Sequence, residues 1–161
     1  DVKTKEDLEK KMKEEIKAQK EEEAEKKYVD ALLEKAVSNM TIELDEEIIE
    51  AEAEAMYNDF MSHMSAQGIT EELYLKYVGT TKEDIVDHMK KEAETRLKNS
   101  YLLNAIIREE QIEADEKEAD EQIKDLAKKY NMTEEDVKSS LGGEESVKYD
   151  IKVRKAIDLM K

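Results

Sequence analysis

The two histidines, His63 and His88, are the side chains best suited to hold a metal ion or carry a proton near neutral pH in this sequence. A metal site between helices would pair each with a carboxylate three residues earlier, but those positions hold Phe60 and Ile85. His88 has Asp84 and Glu92 one turn to either side, the spacing of a solvated ion cluster. Carboxylate pairs recur along the whole chain, 43 Asp and Glu in 161 residues, so no pair marks an acid–base site. With no Cys there is no thiolate chemistry, disulfide, iron–sulfur cluster or Cys-ligated zinc, and a reducing compartment is consistent. A Gly-rich phosphate loop, an EF-hand loop and a GxSxG elbow are missing too, so no catalytic residue, metal or cofactor is expected. The Asn-Met-Thr triplets at Asn39 and Asn131 match a glycosylation pattern but read as turns, with Thr133 a helix cap.

Methionine is what remains. Eight Met against one Phe and no Trp is an unusual source of apolar surface, and its flexible thioethers suit partners of varied shape. Met56 and Met64 share a stripe with core-like spacing, which favours core for both, whereas Met61 lies off it and is left open between core and contact.

Charge narrows the partners. With 27 Lys and Arg the net charge is −16 and the pI near 4.7, the wrong sign for nucleic acid or an anionic membrane. No run of 18 apolar residues is present to cross a bilayer. Charged residues make up 43% of the chain and aromatic ones 5%, so the core is thin. The first residues, Asp1-Val2 without Met, suggest an excised fragment.

The elements that must carry these residues are helices, because Pro is absent and only 4 Gly interrupt the chain. A capping box at Thr4 and Asp7 opens a helix running to Asn39, about 54 Å if continuous. Its apolar residues form two groups, Leu8, Met12 and Ile16, then Tyr28 to Val37, so it is expected to be anchored at both ends with a solvated middle. A second helix spans Asp45 to Ala66 and ends at Gly68, and a short one from Thr70 is closed by Gly79. Thr81 and Asp84 open a long helix to Glu110, whose stretch Tyr101 to Ile107 is apolar nearly all round and should be the most buried part of the chain. Asp115 and Thr133 start two more, and after Gly142-Gly143 a last helix covers Glu144 to Met160, although Tyr149, Ile151 and Val153 also alternate as in a strand.

Several segments in order resemble trigger factor, the bacterial ribosome-associated chaperone. They are Gln67-Gly68-Ile69-Thr70-Glu71-Glu72-Leu73-Tyr74-Leu75, Ala93-Glu94-Thr95-Arg96-Leu97-Lys98 leading into Tyr101-Leu102-Leu103, then Ile106, Ile107 and Glu110-Gln111-Ile112, then Asp115 to Tyr130, and Lys155-Ala156. The resemblance runs from Leu8 to Met160 and maps onto that family's C-terminal substrate-binding domain. Where the family commonly has Pro before the second helix, this chain has Glu43.

The resemblance implies an all-α, elongated domain: a long body helix over residues 1–40, two protruding arms over 41–100 and 101–143, and a C-terminal body helix over 144–161. It implies a cytoplasmic, ATP-independent chaperone that holds unfolded or nascent polypeptides in a cradle between the arms. The ribosome-docking loop and the prolyl isomerase domain of the family have no counterpart in these residues, so neither ribosome anchoring nor isomerase activity carries over. The residues expected to touch clients are Met56, Tyr57, Phe60, Met61, Met64, Tyr74, Tyr77 and Met89. The alternative is a helical adaptor or dimerisation module, its stripes meeting one fixed partner or a homodimer seam, although no strict heptad lasts three repeats.

Overall fold

The computed structural model describes residues 4–161, apart from the side chain of Asp7. Those residues form helices and no strand: α1 (Lys5–Ser38), α2 (Glu46–Ala66), α3 (Glu71–Val78), α4 (Lys82–Glu109), α5 (Glu116–Tyr130), α6 (Glu134–Ser140) and α7 (Glu144–Met160). The expected capping box of α1 depends on Asp7 and so lies outside the described residues. The strand-like alternation of Tyr149, Ile151 and Val153 is carried by a helix, α7.

The chain divides into two compact units. One is Met40–Glu113, and the other joins the residues up to Asn39 to Ala114–Lys161.

In the unit Met40–Glu113, α2 and α4 pack antiparallel. Lys90 meets Glu50 at 3.6 Å and Arg96 meets Glu52 at 3.3 Å, while Lys82 sits 5.4 Å from the centre of the Tyr57 ring. Ala53 and Ala93 let the two backbones approach, and with Tyr57, Met61 and Val86 they form the core. The start of α4 is held by a full capping box, in which Asp84 N donates to Thr81 Oγ1 at 3.2 Å and Thr81 N donates to Asp84 Oδ2 at 3.4 Å. The Thr81 hydroxyl, donating to Asp84 Oδ2 at 2.8 Å, and then the Thr81 N–H hold the Asp84 carboxyl below its usual range.

The stretch Tyr101 to Ile107 is not the most buried part of the chain. Leu103 alone is buried, at 7% exposure, and Tyr101 is 45% exposed. The register explains it: the ion pairs set the first turns of α2 against residues 90–96, so α4 runs on beyond α2 where those apolar residues lie.

The other unit builds its core from α5, α6 and α7, with Ala119, Ile123, Ala127, Val137, Val147 and Ile151. Asp115 caps α5 through a capping box with Glu118, Asn131 closes it in the left-handed region, and Thr133 caps α6, as its spacing predicts. Glu118 also meets Lys155 of α7 at 2.6 Å, which, with the Asp115 N–H, holds its carboxyl below the usual range. Lys161 pairs with Glu25 of α1 and with Asp158, and these contacts push its ammonium up to about 12.

The expectation that α1 is anchored at both ends fails at its start. Val29, Leu32, Leu33, Ala36 and Val37 are half-buried, but Leu8, Met12 and Ile16 are exposed. Three side chains at spacing four make a stripe only one residue wide, and the flanking Lys5–Glu9, Lys11–Glu15 and Lys17–Glu21 pairs lie open to solvent.

Candidate functional site

All eight residues singled out from the sequence lie in the unit Met40–Glu113, on α2, α3 and α4. Tyr57 and Met61 lie inside the core, at 1% and 8% exposure. Met56, Phe60, Met64, Tyr74 and Met89 are half-buried and packed against that core, and Tyr77 stands clear at 89% exposure. Met61, which spacing left open between core and contact, is the buried one, while Met56 and Met64 pack against the core from its edge. The reason is the aim of the helix, since Ala53, Tyr57 and Met61 recur every four residues on the face that α4 covers.

Phe60 and Tyr74 join α2 to α3, with ring centroids 5.1 Å apart and planes at 66°. Beside them the Tyr57 hydroxyl donates to Glu71 Oε1 at 2.8 Å. Burial first, then that hydrogen bond and the Glu71 charge, push the Tyr57 phenol up to about 12, so it stays protonated and remains a donor at neutral pH.

Helix α3 buries none of its residues. Leu73 and Tyr77, one turn apart, form an apolar strip at 55% and 89% exposure, and Val78, at 50%, lies round the helix from it. Leu73 and Val78 were visible in the sequence as apolar positions of a short helix, but only the missing cover turns them into contacts. Around the strip, Met40–Glu113 carries 18 Asp and Glu against 7 Lys and Arg, a net −11.

The other unit has an apolar groove that sequence reasoning did not single out. Leu126, Tyr130, Met132, Val137, Ser140 and Leu141 line about 190 Å³, and Tyr130 and Met132 are exposed at its edge. The available signal was the turn between α5 and α6, where two apolar side chains flank Asn131 in the left-handed conformation. Among the described residues no three His, Asp or Glu side chains gather as a metal ion would require, and no helix is long and apolar enough to cross a membrane.

Comparison with known proteins places this arrangement. A trigger factor from Bacillus cytotoxicus is 36% identical over 160 residues, covering 99% of this chain and 38% of the relative. One from Listeria monocytogenes serotype 4a matches with the same identity and coverage, so the chain spans about two fifths of the length of these curated relatives. A solved structure of trigger factor domains from Thermotoga maritima has a similar fold, with a TM-score of 0.58 over 82% of this chain and 78% of that one, at 20% identity. The family described as the bacterial trigger factor C-terminus matches residues 4–161, and the chain belongs to that family.

Proposed function

We propose that this chain is the client-binding part of an ATP-independent chaperone that holds unfolded or nascent polypeptides in the bacterial cytoplasm and keeps them from aggregating. The observation that carries the proposal is the set of exposed apolar side chains on α3, Leu73, Tyr77 and Val78, on a unit of net charge −11. A patch of this kind costs solubility unless it meets something, and dense carboxylates around it offset that cost. Met56, Phe60, Met64, Tyr74 and Met89 extend the surface at its edge. Tyr57 and Met61 lie beneath that surface and hold the helices that display it.

Covering two or three such half-exposed side chains is worth about 2–5 kcal/mol before the cost of association. One patch therefore binds weakly, and useful holding requires several patches on one client. The groove of Leu126, Tyr130 and Leu141 offers a second.

The test is an aggregation time course without nucleotide. A chemically unfolded, unrelated enzyme is diluted into buffer with and without an equimolar amount of this chain, and light scattering is followed. Suppressed scattering for several unrelated clients supports the proposal. Tight binding to a single protein with the others ignored, or a stable homodimer that closes the strip, favours the adaptor instead.

A further inference from the structure

We infer that α3 is a flap, hinged at Gly68 and Gly79 and latched by Glu71 onto Tyr57, whose release uncovers the Tyr57 hydroxyl and the Phe60 ring of α2. The inference deepens the proposed function by naming what regulates that surface; opening itself does not depend on any client.

The hinges are the first observation. Gly68 has φ +83° and Gly79 φ +73°, the left-handed region, and each sits in open space with nothing within 4 Å of where a Cβ would lie. The chain between them satisfies its own termini. Gly68 N donates to Ser65 O and Ile69 N to Met64 O, closing α2. Leu73 N donates to the Thr70 hydroxyl, and Gly79 N to Leu75 O, closing α3 at both ends. These terminal bonds are local to the hinges and helix ends, so none of them ties the body of α3 to α2.

The latch is the second. The side-chain attachments recorded between α2 and α3 are the 2.8 Å hydrogen bond from Tyr57 to Glu71 and the edge-to-face pair of Phe60 and Tyr74. No residue of α3 is fully buried, and Tyr74 and Leu75 are half-buried, so hydrophobic burial adds part of two side chains to these attachments. Beneath lies a ring with 1% exposure, Tyr57, which release of Glu71 leaves with an unpaired hydroxyl and an open edge. The Tyr57 hydroxyl thus becomes available to a client only when the flap opens, while its ring stays in the core with Val86 and Ala93 of α4. A detached helix of eight residues is too short to persist in water, so opening and melting of α3 coincide.

The experiment uses the full chain. Hydrogen exchange is followed by mass spectrometry without client, in low concentrations of urea, comparing peptides over 71–79 with those over the buried centres of α2 and α4. The expected result is that α3 exchanges through an opening insensitive to urea while α2 and α4 do not. Tyr57→Phe and Glu71→Ala each quicken exchange of α3 about fivefold, the worth of one hydrogen bond, and leave α2 and α4 unchanged. Glu71→Gln keeps the acceptor and stays near the parent. Exchange of α3 only through urea-dependent opening of the whole unit overturns the flap, as does equal quickening of α2 and α4 in the variants.

The link to clients is read with reduced, carboxymethylated lysozyme as a permanently unfolded probe. Its apparent affinity is expected to rise in Tyr57→Phe and Glu71→Ala in step with the open population, and to stay put in Glu71→Gln. Equal affinity across variants whose α3 exchange differs overturns the flap as a gate while leaving the holdase intact. No binding by any variant, together with unsuppressed scattering by the parent, overturns the gate and the holdase together.

Discussion

Met61→Glu separates core from surface in the unit Met40–Glu113. Met61 is 8% exposed and shares its cluster with Ala53, Tyr57, Val86 and Ala93. Replacing it removes buried thioether contacts worth about 2–3 kcal/mol and forces a carboxylate into the same space, at a further cost of several kcal/mol. Against a total stability of about 5–10 kcal/mol for a small unit, the sum is enough to unfold it at room temperature. The other unit has its own core around Ile123 and Val147, so its melting should persist. Methyl NMR during a thermal ramp resolves the two: Val86 and Leu103 signals should collapse in the variant while Ile123, Val147 and Ile151 keep native shifts. A buried carboxyl has a raised folded pKa, so its penalty is full while it is ionised and fades as pH falls toward the unfolded value near 4.3. The variant should therefore recover part of its loss, relative to the parent at the same pH, between about pH 7 and 5. Unchanged melting of Val86, within a degree or two, would refute the burial of Met61 and the packing of α2 on α4 with it.

Tyr77→Ser, at a site 89% exposed, should leave stability within about 0.5 kcal/mol of the parent yet weaken suppression of scattering. Lys155→Met should return the Glu118 carboxyl toward its ordinary value, followed by NMR titration. Because that carboxyl is held low when folded, its contribution is present above about pH 4.3 and lost as pH falls through the lowered value, and the variant should show a shallower acid loss. Gly142→Ala places a Cβ 3.2 Å from Ser146 Oγ at φ +79° and should lower the stability of its unit by about 1–2 kcal/mol in urea melts.

The helices were legible because their signals are local. Thr81, Asp115 and Thr133 each precede an acid by three residues, and each caps the helix that spacing assigns to it. The glycine pair before α7 settles what the alternation of Tyr149, Ile151 and Val153 leaves open, since a helix start there leaves no length for a strand. Burial was legible only where a partner helix could be inferred. The apolar run from Tyr101 to Ile107 was expected to be deepest, yet the reach of α2 is fixed by the register of Glu50 and Glu52 against Lys90 and Arg96, a long-range fact with no local trace.

The site suffers the same limit more sharply. Tyr57 and Tyr77 are the same residue type on neighbouring amphipathic helices, and one is enclosed while the other is almost wholly in water. A periodic stripe states which side of a helix is apolar; it does not state whether anything lies against it. In a core that distinction is made by a second helix long enough to cover the stripe, as α4 does for α2. Helix α3 has eight residues between two left-handed glycines, too short to enclose a face of its own and attached by one hydrogen bond and one ring pair. Its exposed strip is therefore what remains when an apolar sequence is given a mobile mount instead of a cover. The same mount that withholds a permanent partner leaves Leu73, Tyr77 and Val78 free to meet many transient ones.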